Sequence, residues 1–138
     1  MRSMQSTLKK YFGYDQFRPL QEDVIRHILS GKDCLVLMPT GGGKSLCFQI
    51  PALMMEGTAV VVSPLISLMK DQVDNLAERG IADAVTINGL LDPIRRSLAI
   101  ERVQDGDASL LYIAPEMLRS KTIEKILMAR HVVRFVID

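Results

Sequence analysis

The sequence lacks the features that mark membrane proteins, disulfide-rich proteins and proteins with cysteine-ligated metals. No apolar run approaches the roughly 18 residues that a membrane-spanning helix needs, and the first residues lead into a polar stretch rather than a signal-peptide core. Only two cysteines are present, Cys34 and Cys47, and their spacing does not match a metal site. We expect two buried, free thiols in a reducing compartment, and therefore a cytoplasmic protein without membrane association.

A charge excess of either sign is also missing. The chain carries 17 basic and 16 acidic residues, which leaves a net charge of +1. Proteins that bind nucleic acid through a broadly basic surface are far more positive, so any such contact here must come from individually placed groups. The 138 residues suit one domain, and the 48% hydrophobic and 24% charged composition is ordinary for a soluble globular chain.

The most informative stretch is residues 38–45, which read Met-Pro-Thr-Gly-Gly-Gly-Lys-Ser. An apolar run at 34–38 precedes it and predicts a strand, and the periodic segment 46–55 follows it and predicts a helix. Strand, glycine loop and helix form the context of a phosphate-binding loop. Residues without a Cβ let the backbone N–H groups turn towards an anion, and the N-terminus of the next helix adds its dipole.

Each residue type in this loop has a chemical role in binding a nucleoside triphosphate. Lys44 is predicted to contact the β- and γ-phosphates, and the Ser45 hydroxyl is predicted to hold Mg²⁺. The strict motif has glycine where this chain has Met38. The remaining predicted nucleotide-binding residues of the loop are Thr40, Gly41, Gly42 and Gly43.

Strands and helices are predicted to alternate along the chain. The expected strands after the loop are 59–63, 84–87, 109–113 and 132–137, and the expected helices are 8–12, 19–30, 46–55, 65–79, 93–103 and 122–129. Pro19 is taken as a first helical position, and Asp92 and Thr122 as helix caps. This alternation predicts an α/β layer fold with a mainly parallel sheet.

The carboxyl ends of parallel strands meet at one edge of a sheet, which is where such sheets bind ligands. Ser63, Ala114 and Asp138 each follow a predicted strand, so we expect all three at that edge with the phosphate loop. In phosphate-loop enzymes an acidic residue after a second apolar strand holds Mg²⁺, and Asp138 is predicted to be this ligand. The alternative, a solvated carboxylate without a role, stays open. No residue that would position the attacking water follows, so catalysis by this chain is expected to be crippled.

Three runs together resemble the N-terminal part of a RecQ-family ATP-dependent DNA helicase. Residues 12–21 resemble the adenine-recognition motif, 38–49 the phosphate loop and 62–72 the first DNA-contact motif, within a likeness that runs from 8 to 138. The resemblance implies a RecA-like P-loop domain at 19–138, a three-layer sandwich whose mainly parallel sheet is incomplete. Residues 1–18 would form an N-terminal extension and the start of the adenine motif.

The resemblance also implies roles for residues around the base of the nucleotide. The Gln21 amide would pair a donor and an acceptor with the adenine edge and select ATP. Tyr14 and Arg18 would flank the base by stacking, since aromatic and guanidinium planes both suit a π-face.

DNA contacts are implied at three positions that follow the predicted strands. Ser63 and Lys70 would approach DNA phosphates, and Asn88 occupies the place of another polar contact of the family. Such contacts are independent of base sequence and sensitive to salt.

The function implied by the resemblance is the ATP-binding portion of a 3′-to-5′ DNA helicase that couples ATP hydrolysis to unwinding in recombination and repair. ATP and Mg²⁺ would be the cofactors. The partners would be single-stranded or forked DNA and the second RecA-like domain, which is absent here, and the working protein would associate with the nucleoid. Two alternatives stay open: a DEAD-type RNA helicase relative and a non-catalytic nucleotide-binding module.

Overall fold

Two compact units make up the chain, Met1–Met55 and Glu56–Asp138. The computed structural model describes residues 3–38 and 43–138, so the predictions for Thr40, Gly41 and Gly42 lie outside the described residues. None of the described helices combines the length and the apolar composition that crossing a membrane requires. The predicted boundary after residue 18 stays a prediction.

The regular secondary structure described in the first unit consists of helices alone. Helix α1 (Met4–Thr7) continues directly into a π-helical turn (Leu8–Phe12), followed by α2 (Gln21–Leu29) and α3 (Lys44–Met54). The predicted helix 8–12 is therefore present but starts earlier, because Ser3 caps α1 by accepting the Ser6 N–H at 3.1 Å.

The start of α2 differs from the prediction. Pro19 is not a first helical position, because Leu20 adopts φ 73° and this left-handed conformation delays the helix to Gln21. The Val24 N–H donates to the Leu20 carbonyl at 3.0 Å, so Leu20 is the N-cap of α2.

The predicted strand at 34–38 is wrong, since residues 32–38 form neither helix nor strand. Leu35 and Leu37 are 88% and 84% exposed. An isolated strand leaves its backbone groups unpaired, and the described part of the unit Met1–Met55 contains no strand that could pair with this run. Cys34 is consequently exposed, and the prediction of buried thiols holds only for Cys47.

The second unit contains a four-stranded sheet of order β2-β3-β1-β4 in which every pair is parallel. The strands are β1 (Thr58–Val62), β2 (Ala84–Ile87), β3 (Leu110–Ile113) and β4 (Val132–Ile137). The helices are α4 (Ile66–Glu78), α5 (Pro93–Gln104) and α6 (Lys121–Ala129), with a 3₁₀ turn at Pro115–Arg119. The predicted α/β fold with a parallel sheet is confirmed.

Burial along the strands follows their place in the sheet. Every residue of β1 and β3 is buried, which shows that both faces of the two central strands are covered. The edge strand β4 is more open, with Phe135 and Ile137 exposed by 56% and 78%.

Helix caps explain where α5 and α6 begin. The predicted Asp92 cap is confirmed, because its Oδ1 accepts the Arg95 N–H at 2.8 Å and Pro93 opens the helix. The predicted Thr122 cap is wrong. Ser120 follows the 3₁₀ turn in an extended conformation, and its Oγ accepts the Ile123 N–H at 3.4 Å. Ser120 is therefore the cap, two residues before Thr122, and α6 begins at Lys121.

Gly57 sets the close approach of β1 to β4. Its φ is 114°, and an added Cβ would lie 2.6 Å from the His131 carbonyl oxygen and 2.7 Å from Val133 Cγ1. The same carbonyl accepts the Thr58 N–H at 2.9 Å, so the collision would push on the backbone that joins the two strands. We expect Gly57→Ala to lower the free energy of unfolding by more than about 2 kcal/mol in urea denaturation.

Gly80→Ala is the matched control for this stability prediction. Gly80 also has a positive φ, 82°, but nothing lies within 4 Å of its added Cβ. Its substitution isolates backbone strain, for which about 1 kcal/mol is expected. Equal losses in the two variants would contradict the steric role assigned to Gly57.

Candidate functional site

Helix α3 begins immediately after the glycine loop. Its N-cap is Gly43, with φ 81° and ψ 33°, and this residue has no side chain that could cap the helix. Lys44, which is exposed, and Ser45, which is half-buried, lie in the first turn. The N-terminus of a helix attracts anions through its amide groups and its dipole, so this helix start suits a phosphate group beside a cationic side chain.

A magnesium ion fits this helix start only together with a ligand that brings its own oxygens. Among residues 3–38 and 43–138, no group of three or more His, Cys, Asp or Glu side chains could hold a metal. Mg²⁺ in nucleotide sites commonly uses one or two protein groups, phosphate oxygens and water. The Ser45 hydroxyl would be one such protein group, and the ion would neutralise charge on the phosphates.

Gln21 is buried, with 1% of its surface exposed, at the start of α2. Its Nε2 donates to the Gly43 carbonyl at 3.0 Å, and its Oε1 accepts the Arg18 N–H at 2.8 Å. The amide predicted to pair with adenine is therefore bonded at both ends within the chain. Its pairing with adenine stays a prediction.

Tyr14 and Arg18, the predicted stacking residues, lie before α2. Both are exposed, Tyr14 by 50%. The loop that carries Tyr14 is bridged by an ion pair of 2.8 Å between Lys9 Nζ and Asp15 Oδ1. Exposure suits a stacking role, and the role itself stays a prediction.

Cys47 packs beneath the first turn of α3. Its Sγ lies 3.9 Å from the Gly43 carbonyl oxygen. Burial raises the pKa of this thiol, and the nearby Cys34 adds to the increase. Cys47 is accordingly a neutral packing residue at pH 7 rather than a nucleophile.

In the second unit, the carboxyl edge of the sheet brings predicted residues together. The Asp138 N–H donates to the Val62 carbonyl at 3.0 Å, and the Ser63 N–H donates to the Ile113 carbonyl at 3.1 Å. These bonds continue the ladders beyond the strands and place Ser63, Ala114 and Asp138 at one edge of the sheet. That the phosphate loop lies at the same edge stays a prediction. The Asp138 side chain is exposed there.

Ser63 and Asn88 are both only 3% exposed, and their side chains bond within their own turns. The Ser63 Oγ accepts the Leu65 N–H at 3.3 Å, and the Asn88 Oδ1 accepts the Leu90 N–H at 2.8 Å. The Asn88 Nδ2 also donates to Thr86 Oγ1 at 3.4 Å. These hydrogen bonds stabilise the turns after β1 and β2. The predicted DNA contacts of Ser63 and Asn88 stay predictions.

Lys70 differs from these two residues because its ammonium reaches solvent from α4. Its Nζ lies 2.9 Å from Asp74 Oδ2, with both side chains largely exposed. This hydrogen bond and the charge of Asp74 raise the pKa of Lys70, which stays positive over the whole physiological range. A phosphate could compete with Asp74 for this ammonium.

The contact between Gln21 and Gly43 was not foreseen from the sequence. The two residues are 22 positions apart and sit on different helices. Leu20, the only residue other than glycine with a positive φ in the described ranges, directly precedes Gln21. Leucine carries no signal for such a conformation.

Comparison with known proteins identifies the class. The family model described as DEAD/DEAH box helicase matches residues 18–138, so the chain belongs to the DEAD/DEAH box helicase family. Within that family it is 47% identical over 135 residues to the ATP-dependent DNA helicase RecQ of Bacillus subtilis, covering 97% of this chain and 23% of that protein. It is 44% identical over 134 residues to the RecQ of Haemophilus influenzae, covering 96% of this chain and 21% of that protein. The predicted RecQ resemblance is confirmed.

A solved structure agrees with the fold. The DNA-bound crystal structure of the DUF1998 helicase MrfA matches 91% of this chain and 19% of that chain, with a TM-score of 0.73 and 20% identity. Identity at this level supports the fold alone, and the RecA-like helicase fold class is confirmed. The chain spans less than a quarter of the length of the two RecQ relatives.

Proposed function

We propose that this chain is the ATP-binding portion of a DNA helicase and binds ATP with Mg²⁺ at the start of α3. The observation that carries the proposal is the helix that begins at Lys44, directly after Gly43 in a left-handed conformation that offers no capping side chain of its own. A helix start of this kind supplies amide donors, a positive dipole end and a mobile cation to a triphosphate.

Lys44 would contact the β- and γ-phosphates, and Ser45 and Asp138 would hold the Mg²⁺ ion. Ser45 and Asp138 belong to different units of the chain, so the assignment of one shared ion rests on the helicase resemblance. Thr40, Gly41, Gly42 and Gly43 would surround the phosphates, with Tyr14 and Arg18 beside the base.

DNA is the proposed partner of the second unit. The two RecQ relatives are named DNA helicases, and the MrfA structure is described as bound to DNA. Lys70 would contact a DNA phosphate. Ser63 and Asn88 would stabilise the turns after β1 and β2 that approach the DNA. These names favour DNA over the RNA substrate of the alternative helicase class.

The activity of a whole helicase is proposed on the same basis. ATP hydrolysis would drive 3′-to-5′ translocation and unwinding in recombination and repair, with a second RecA-like domain closing on the nucleotide. Work on chromosomal DNA would place the protein in the cytoplasm near the nucleoid. The chain by itself is proposed to hydrolyse ATP poorly.

DNA binding tests this proposal through Lys70. We expect the chain to bind a fluorescent single-stranded oligonucleotide in anisotropy titrations, with an affinity that falls as salt rises. Lys70→Ala should weaken binding to all base sequences about equally and reduce the salt slope by about 0.7, the value for one lost contact to a single-stranded phosphate.

Lys125→Ala is the matched control, because Lys125 is an exposed lysine on α6 that no prediction places near DNA. It should leave affinity and slope nearly unchanged. Wild-type binding to RNA of the same sequence that clearly exceeds binding to DNA would favour the RNA-helicase class instead.

A further inference from the structure

We propose that Gln21 is a positioning residue for the phosphate site, because its amide fixes the Gly43 carbonyl at the start of α3 whatever base the nucleotide carries. The inference rests on the proposed function, since it concerns the same nucleotide site. It differs from the base-reading role that the helicase resemblance implies for Gln21.

The hydrogen bonds of the Gln21 amide are the first support. The donor end holds the Gly43 carbonyl at 3.0 Å, and the acceptor end takes the Arg18 N–H at 2.8 Å. The side chain thus joins the loop before α2 to the N-cap of α3. Because the amide is 1% exposed, water does not compete with either bond, and losing one would leave a buried group unpaired.

Steric fit is the second support. A Cβ on Gly43 would collide with Gln21 Nε2. Only a glycine lets the amide approach the backbone this closely, and the φ of 81° at Gly43 also favours glycine. The amide therefore packs on the residue whose conformation determines where the first turn of α3 points.

Backbone conformation at Leu20 is the third support. Leu20 has φ 73° and its side chain is 60% exposed, so core packing does not explain the left-handed conformation. The turn that contains it is closed by a bond of 3.2 Å from the Gln21 N–H to the Arg18 carbonyl. This strained turn directly precedes Gln21, whose buried side chain meets Gly43.

Base reading and positioning make different demands on the amide. An amide has two donor hydrogens and two acceptor lone pairs, so Gln21 has the capacity to keep both internal bonds while it meets a base. An amide that only recognises the base affects the affinity for ligands that carry adenine and for no others. An amide that positions the phosphate site affects the affinity for a ligand with phosphates and no base to the same extent.

The test compares Mg²⁺-ATP with Mg²⁺-tripolyphosphate by calorimetry on the 138-residue chain and two variants. Gln21→Glu keeps the acceptor for the Arg18 N–H and removes the donor to Gly43. Gln21→Met keeps the burial and removes both bonds, and it also covers the case in which the buried charge of Gln21→Glu impairs folding. We expect a loss of about tenfold or more for both ligands in each folded variant.

Gln104→Glu is the matched control, since Gln104 is exposed on α5 and the charge change is the same. It should leave both affinities nearly unchanged. Loss of ATP affinity with unchanged tripolyphosphate affinity would overturn the inference and leave Gln21 a base reader. Wild-type chain that binds neither ligand would overturn the proposed function, and the inference with it.

A measurement on the unsubstituted chain completes the test. We expect the side-chain NH₂ signals of Gln21 in an NMR spectrum to shift when Mg²⁺-tripolyphosphate is added, because the ligand acts on the carbonyl that they contact. Signals that shift with ATP and stay fixed with tripolyphosphate would overturn the inference.

Discussion

Lys44→Ala is expected to weaken the binding of Mg²⁺-ATP by roughly 10- to 100-fold, the range for losing a hydrogen bond between charged groups. Lys44 is the first residue of α3, so its ammonium adds to the dipole end that attracts the triphosphate. Calorimetric titration of the two proteins measures the difference.

Lys121→Ala provides the control for charge and position. Lys121 is also the first residue of a helix and is exposed, but α6 is capped by the Ser120 side chain. Its substitution should leave the affinity for Mg²⁺-ATP nearly unchanged. Equal titration curves for Lys44→Ala and the wild type would contradict the phosphate-binding role of Lys44.

Gly43→Ala is expected to reduce the affinity for Mg²⁺-ATP by about 100-fold. Two effects combine: alanine is strained at φ 81°, and its Cβ collides with Gln21 Nε2. Moving the amide would break its bonds to Gly43 and Arg18, each worth about 1 kcal/mol or more when buried. The same change should also lower the urea midpoint, because the amide links α2 to α3.

Gly31→Ala separates strain from collision. Gly31 lies in the same unit with φ 84°, and nothing lies within 4 Å of its added Cβ. We expect a stability loss of about 1 kcal/mol and an unchanged affinity. If Gly31→Ala and Gly43→Ala change binding equally, the contact between Gly43 and Gln21 does not contribute to the affinity for the ligand.

The double variant of Gly43→Ala with Gln21→Ala should bind Mg²⁺-ATP no more weakly than Gly43→Ala alone.

Much of the second unit was predictable because local signals there agree with the tertiary structure. The apolar, β-branched run at 59–63 predicted a strand covered on both faces, and β1 is buried along its whole length. Asp92 and Pro93 marked the start of α5 by capping chemistry alone. The start of α6 was missed because Ser120 and Thr122 are both residue types that cap helices, and the 3₁₀ turn that ends before Ser120 decides between them.

The run at 34–38 shows what periodicity cannot supply. Its composition is that of a buried strand, yet a strand also needs a neighbour for its backbone groups. The described residues of the unit Met1–Met55 provide none, and Leu35 and Leu37 remain exposed. Pairing is a property of the folded chain rather than of the run itself.

At the candidate site, the sequence predicts residue types better than it predicts contacts. The motif located Gly43, Lys44 and Ser45, and the structure places them at the start of α3. The burial of Gln21 could not be predicted from its residue type, and the left-handed conformation of Leu20 before it is one that leucine rarely adopts. Motifs record which groups are present, and the backbone decides what those groups contact.

Hydrogen–deuterium exchange of the chain with and without Mg²⁺-ATP tests the central claim most directly. We predict that the nucleotide slows exchange in peptides that cover residues 43–47, the start of α3, and in those that cover residues 18–21. Slowed exchange confined to the unit Glu56–Asp138, with residues 43–47 unchanged at saturating nucleotide, would contradict the account.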